Sequence, residues 1–389
     1  MLLAFKVKNF RSFKNEQEIS FVLNENERIK KDRRFEVSTK NGNIRILKNA
    51  IIYGANASGK TNILLALQAL SQIITHPTGS DNERLFTDTF ASNRDNTRFE
   101  IKFLRENTVF EYHLEYNYKE VVYESLHKDN AMVFERNYQD FNFVNLDDAV
   151  KNLLKTVRKT SLLIFFAQNY NIEEAKNAFS WFYDSFCATT NTVTALKTDK
   201  DFKEKVLYAL QFADFNILDI EVEERKPTKE VSNETAKIYF THENNGEKFR
   251  IPLEDESQGT KAYFEIILLL LNPDRTHESL LFRDELDLSL HKQLTYTLVE
   301  LLNSEKNSIQ FISTSHDSSL MNLLSKHQIY FVQKKTSGES EIFKLSDFDD
   351  VGKTRSDIKY APKYEAGLFG AEPIINDVGL MSILGVENE

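Results

Sequence analysis

Polar and apolar residues alternate along Leu2-Leu-Ala-Phe-Lys-Val-Lys-Asn-Phe10 and again along Gln17-Glu-Ile-Ser-Phe-Val-Leu23, with the turn Arg11-Ser-Phe-Lys-Asn15 between them. A two-residue period puts one face in a core and the other in water, so the pair predicts a β-hairpin. Phe99-Glu-Ile-Lys-Phe103 alternates strictly, and Phe110 to Tyr116 and Val121 to Leu126 continue the pattern as a β-meander. The period then changes. Asp147 to Lys159, Ile172 to Tyr183 and Asp201 to Phe212 carry apolar residues at helical spacing. No heptad is sustained there, which excludes a long coiled-coil arm. Strand patterns return at Ile217 to Val222, Ala236 to Phe240 and Phe249 to Leu253. Neither an internal repeat nor a low-complexity segment interrupts this order.

Ile51-Ile52-Tyr53 reads as a short buried strand and Asn62 to Leu70 as a helix, and the stretch between them carries chemistry. Gly54-Ala-Asn-Ala-Ser-Gly-Lys-Thr61 fits G-x-x-x-x-G-K-[ST], the phosphate-binding P-loop, in its strand–loop–helix context. Gly54 and Gly59 let the backbone curl so that N–H groups, with those of Asn56 and Ser58 in the same loop, point into one concavity. The helix beginning near Lys60 adds its positive end. Lys60 is expected on the β- and γ-phosphates and Thr61 on Mg²⁺.

Hydrolysis needs an acidic partner, and Ser279-Leu-Leu-Phe-Arg-Asp-Glu-Leu-Asp287 supplies one: an apolar strand ending in Asp284-Glu285. Placed beside the P-loop strand, it would bring Asp284 to the metal and Glu285 to the attacking water. Arg283 departs from this pattern, where an apolar residue is usual. Ile309 to His316 is another apolar strand, and its terminal histidine reads either as structural or as a γ-phosphate sensor. Glu256-Ser-Gln-Gly-Thr-Lys-Ala262 opens a long apolar helix. It is either a plain N-cap or a second anion-binding helix end, and the latter would close on nucleotide held by another subunit.

Composition narrows the class. The 389 residues suffice for one large split domain or two ordinary ones, and 41% hydrophobic with 28% charged residues is ordinary for a globular protein. Phenylalanine, at 30, leaves core volume plentiful. The one cysteine, Cys187, allows no internal disulfide and favours a reducing cytoplasm. The longest apolar run, Phe264 to Leu271, carries Glu265 and is too short to span a bilayer. The chain starts on a strand pattern, so no signal peptide is expected. A net charge of −10 excludes a protein that coats nucleic acid by charge alone. The cluster Arg28, Lys30, Lys31, Arg33 and Arg34 is either a solvated loop or a contact for a phosphate backbone.

Together, Phe5-Lys-Val-Lys-Asn-Phe-Arg-Ser-Phe13, the P-loop, Ser257-Gln-Gly-Thr260, Asp284-Glu-Leu-Asp-Leu-Ser-Leu-His291 and Ser313-Thr-Ser-His316 resemble the motifs of ABC-type ATPases of the SMC/RecF class. The nearest group resembles the overcoming-lysogenisation-defect ATPases and the RloA-, Septu- and PARIS-type phage-defence ATPases. Tyr364 to Pro373 is similar to their tail motif. The resemblance implies an α/β fold: a P-loop ABC-type ATPase head, with a mixed sheet and a β-meander lobe, interrupted by a helical insert. The expected divisions are 1–140, the insert 141–215, and 216–389. It also implies ATP and Mg²⁺, with the metal on Thr61 and Asp284, Glu285 as catalytic base and His316 as switch histidine. Ser257, Gly259 and Thr260 become the signature acting in trans, Asp287 a dimer-contact residue, and Arg11 a contact to nucleotide phosphate. The signature is shorter than the transporters' Leu-Ser-Gly-Gly-Gln, and no Q-loop glutamine is assigned.

Expected partners are a second copy through a nucleotide sandwich and a separate effector, with DNA bound weakly if at all and no membrane. The stretch from His316 to Glu389 is too short for a Toprim nuclease, which places the expected effector on another chain. A RecF-like DNA clamp and a non-enzymatic nucleotide-binding module are the competing readings. Glu285 weighs against the module; the acidic charge and missing arms weigh against the clamp.

Overall fold

Alternation in the first part of the chain folds as expected, and further than expected. In the computed structural model, which describes residues 1–80, 82–186, 189–225, 235–271, 280–348 and 359–371, β1 (Leu2–Lys8) pairs antiparallel with β2 (Gln17–Ser20). A small hairpin, β3 (Arg34–Thr39) and β4 (Gly42–Leu47), leads into β5 (Asn49–Tyr53) and α1 (Lys60–Thr75). The meander is β6 (Thr97–Arg105), β7 (Thr108–Tyr116), β8 (Val121–Lys128), β9 (Ala131–Asn137) and β10 (Asp140–Phe143). With β1 and β2 it forms a seven-stranded sheet in the order β10-β9-β8-β7-β6-β1-β2. Two of its hairpin turns, Glu106-Asn107 and Asp129-Asn130, have positive φ at both residues, the twist that suits a tight hairpin. Cys187, and Glu372 and Pro373 of the tail motif, lie outside the described residues.

Five helices follow: α2 (Asp148–Leu154), α3 (Leu163–Asn169), α4 (Glu173–Phe186), α5 (Thr189–Thr198) and α6 (Lys200–Phe212). The aromatic residues Phe165, Phe166, Phe179, Trp181 and Phe182 lie on α3 and α4. Trp181 and Phe182 are fully buried, and Trp181 stacks on Phe103 of β6 at 4.4 Å. The other three are half-buried, and α3 and α4 pack against α1. A helix as short as α3 is marginal alone. Here the buried Glu124 carboxylate of β8 accepts from the backbone N–H of Leu163 and Ile164 at 2.7 and 2.9 Å, and Tyr112 donates to it at 3.0 Å. Burial pushes this carboxyl up, opposed by Arg136 at 3.8 Å, itself fully buried and donating to the carbonyls of Tyr138, Ser161 and Arg158.

A three-stranded sheet, β11 (Asp219–Arg225), β12 (Thr235–Asn244) and β13 (Glu247–Pro252), precedes α7 (Gln258–Leu271). Then come β14 (Leu280–Arg283), α8 (Lys292–Leu302), β15 (Gln310–Thr314), β16 (Ile329–Lys334), β17 (Ser340–Lys344) and α9 (Tyr360–Glu365). The central sheet runs β14-β15-β5-β16-β17, parallel except for β17. Every residue of β5 is buried, as in a parallel strand covered on both faces. Ala50 and Ile52 face the core shared with α1 and the meander, whereas Ile51 and Tyr53 face the core shared with α7 and α8. The fold is therefore α/β, with a parallel central sheet between two cores and an antiparallel meander lobe. Among the described residues no helix is long and apolar enough to cross a membrane.

Candidate functional site

The C-terminal end of β5 runs into the P-loop, and its two glycines are forced by close approach. A Cβ at Gly54 would run into the Val332 carbonyl oxygen of β16. At Gly59, where φ is +103°, a Cβ would come 2.5 and 2.7 Å from the hydroxyls of Ser12 and Ser340. Ser340 donates to the Ser58 carbonyl at 2.5 Å and Asn62 donates to Ser12 at 2.7 Å, so the loop is held from outside. The Ser58 hydroxyl is buried without a hydrogen-bond partner among the described residues, and Asn56 is exposed. The Lys60 ammonium folds back on its own loop, donating to the carbonyls of Gly54 at 2.7 Å and Ala55 at 3.0 Å. Burial pushes its pKa down, and Asp284, Glu285 and Asp287 oppose that.

The acidic strand is not where its expected role put it. β14 does not neighbour β5, because β15 lies between them. Asp284 nevertheless reaches the loop: Thr61 donates to its carboxylate at 3.0 and 3.2 Å, and Thr314, ending β15, donates at 2.5 Å. Thr314 also accepts from the Glu285 backbone N–H at 2.7 Å. Sequence reasoning missed Thr314. Its signal was the hydroxyl run Ser313-Thr-Ser315 ahead of His316, meaningful only once the strand order is known. Glu285 itself has φ of +50°, a left-handed backbone rare for a carboxylate residue outside functional turns. Its side chain is half-exposed and makes no hydrogen bond or ion pair among the described residues. The departure at Arg283 follows from the same topology. β14 is an edge strand, and Arg283 pairs with Glu265 of α7 at 2.5 Å.

Asp287 accepts from the His316 backbone N–H at 3.2 and 3.3 Å, which joins the turn after β14 to the end of β15. Arg11 pairs with Asp88 at 2.8 Å, so in its segment it is Ser12 that touches the P-loop. Ser257, Gly259 and Thr260 lie elsewhere. The Thr260 backbone N–H donates to Ser257 Oγ at 3.1 Å, an N-cap for α7, and a Cβ at Gly259 would come 2.6 Å from the Ser289 carbonyl. Ser257 and Gly259, with His291 and Phe212, line a separate cleft of about 860 Å³, whereas Thr260 is buried. Of the basic cluster, Arg34 is turned inward onto Glu36 and the Ile29 carbonyl, and Arg33 is half-buried.

No group of three His, Cys, Asp or Glu side chains suited to a metal occurs among the described residues. What converges on Asp284 is one carboxylate and two hydroxyls. That oxygen-only, incomplete shell fits Mg²⁺, which keeps waters and takes substrate phosphate oxygens for the rest. An orphaned hydroxyl at Ser58 and a lysine satisfied only by loop carbonyls fit a phosphate chain in the concavity.

A family model described as an AAA domain, putative AbiEii toxin, type IV toxin–antitoxin system, matches residues 50–322. No curated protein matches the sequence. Solved structures that it resembles include an SMC head bound to the C-winged helix domain of ScpA, at 14% identity over 88% of this chain and 97% of that one, with a TM-score of 0.44. An SMC head domain from Thermotoga maritima gives 16% identity, 88% and 98% coverage and a TM-score of 0.40. One with an extended coiled coil from Pyrococcus furiosus, bound to the C-terminal domain of ScpA, gives 12%, 88% and 96%, and 0.45.

Proposed function

Because the chain belongs to the family of AAA domains described as putative AbiEii toxins of type IV toxin–antitoxin systems, we propose that it is an ABC-type ATPase that works through a second protein, an effector it restrains or licenses in defence against phage. The observation that carries the ATPase half is the junction of Thr61, Asp284 and Thr314, where the P-loop helix and two strand ends share one carboxylate.

In this reading Lys60 leaves the Gly54 and Ala55 carbonyls for the β- and γ-phosphates, and Ser58 gains the partner it lacks. Thr61 and Asp284 hold Mg²⁺, which when bound neutralises charge developing on the transferred phosphoryl group. Glu285 takes the proton of the attacking water onto its carboxylate, and the His316 imidazole hydrogen-bonds the γ-phosphate. Ser257, Gly259 and Thr260, remote from the P-loop of their own chain, close on the nucleotide of a second copy, with Asp287 in the contact. The family description names a toxin–antitoxin system and calls the matched domain its putative toxin, so the effector half rests on the resemblance of the motifs to phage-defence ATPases.

The test is ATP hydrolysis by the purified protein with and without Mg²⁺. Turnover should require the metal and vanish with nucleotide binding in Lys60→Ala; hydrolysis equal in Lys60→Ala would exclude this site. Co-expression with the adjacent gene product tests the effector half, which fails if no ATP-dependent complex or toxicity results.

A DNA clamp is the second reading because Lys8, Lys14, Arg94 and Arg98, interspersed with Asp95 and Glu115, line a concavity of about 420 Å³. Binding there should weaken by about 0.9 log units per log unit of salt for each phosphate contacted. Salt-insensitive binding would contradict it.

A further inference from the structure

The segment around α9 packs against the back of the site without any role in the reading above. The Tyr364 ring lies nearly parallel to Phe331 of β16 at 5.3 Å, and 6.4 Å from Tyr53, the residue that precedes Gly54. Phe369 stacks on Phe331 at 5.9 Å, and the Tyr364 hydroxyl donates to the Ala371 carbonyl at 3.1 Å, closing the segment on itself. Glu365 accepts a hydrogen bond from the Ser318 hydroxyl at 2.5 Å. Ser318 opens the 3-10 turn Ser318–Leu323, one residue after His316-Asp317. One short segment thus grips both the end of the P-loop strand and the turn that follows His316.

Tyr53 is the node between them. Its hydroxyl is buried with no hydrogen-bond partner among the described residues. Burial, and then Asp287 and Asp317, push its pKa up. Movement of Tyr364 therefore reaches the P-loop strand through a ring contact and the histidine turn through Glu365.

We propose that Tyr364 and Glu365 are positioning residues, and that Tyr360–Ala371 is a strut keeping the His316 turn in register with the end of β5. The inference rests on the ATPase reading above. It differs from a simple apolar plug in one respect. The Ser318–Glu365 bond is exposed, so as a stability element it contributes little. A plug predicts no consequence from losing it, whereas a strut predicts a catalytic one.

The test uses the full chain with Glu365→Ala, Glu365→Gln and Tyr364→Phe. Removing an outer partner of a site typically costs about 10–100-fold, so Glu365→Ala should lose that much in kcat while KM and nucleotide affinity stay unchanged. Glu365→Gln keeps an acceptor oxygen for Ser318 and should recover most of the rate. Tyr364→Phe keeps the ring contacts and should stay near wild type. Hydrogen exchange over 316–323 should quicken in Glu365→Ala and not in Glu365→Gln. Wild-type kcat and protection in Glu365→Ala overturn the strut, as does a loss that Glu365→Gln fails to rescue. If wild type shows no Lys60-dependent hydrolysis, the ATPase reading fails instead. The exchange comparison then decides the strut alone: unchanged protection rejects it, and quickened exchange keeps it as a brace of a nucleotide site without turnover.

Discussion

Thr314 stands between Asp284 and Glu285 as donor to one and acceptor for the other, and its replacement is the most informative single change at the site. Thr314→Val keeps the shape and removes both bonds. The expected outcome is a loss of about 10–100-fold in Mg²⁺ affinity or kcat with the melting temperature little changed; wild-type metal dependence would remove Thr314 from the machinery. Glu285→Gln should keep ATP binding and slow hydrolysis by about 10²–10⁴-fold, the contribution of a general base. Undiminished turnover would remove Glu285 from the mechanism. The P-loop residues were legible in the sequence because the curled backbone itself demands glycine at Gly54 and Gly59, where any Cβ would collide. Thr314 was not, because its meaning depends on β15 lying between β14 and β5, and nothing local records strand order. Arg283 looked anomalous for the same reason, until its place on an edge strand gave it Glu265.

The long alternating and helical stretches overlap elements, since period alone identifies them, but the helix expected over 147–159 ends at Leu154 and the strand expected over 17–23 ends at Ser20. What escaped was held by distant partners. α3 begins on a buried carboxylate that comes from β8, Glu124, a cap with no signature near residues 163–169. Trp181 and Phe182 of α4 pack on Phe103 of β6, a contact that no pattern near α4 records. The buried Glu124–Arg136 pair permits a stability prediction. Arg136→Leu leaves Glu124 uncompensated in the core and should cost about 3–5 kcal/mol by urea unfolding. A double change, Glu124→Leu with Arg136→Met, should recover little of that loss, because it also strips the Leu163 and Ile164 N–H groups and the Tyr112 hydroxyl of their acceptor. If Arg136→Leu unfolds at the wild-type urea midpoint, the pair does not anchor the lobe.

At the scale of the whole molecule, the P-loop and the start of α7 do not share a cleft. The P-loop lies at the end of β5, whereas Ser257 and Gly259 open into their own cleft, beside a Phe212 side chain that is 88% exposed. Phe212 lines that cleft, so a second copy closing on it would cover the ring. Phe212→Ser should therefore weaken ATP-dependent self-association and leave nucleotide affinity intact; association unchanged by light scattering would contradict this. The central claim is that the nucleotide is shared between copies, and mixing two inactive proteins tests it most directly. Lys60→Ala lacks the phosphate grip and Ser257→Arg blocks the signature cleft, so each alone should be inactive. A mixed dimer retains one intact composite site. ATPase activity of the mixture well above the sum of its parts is the predicted result, and activity no greater than that sum would contradict the account.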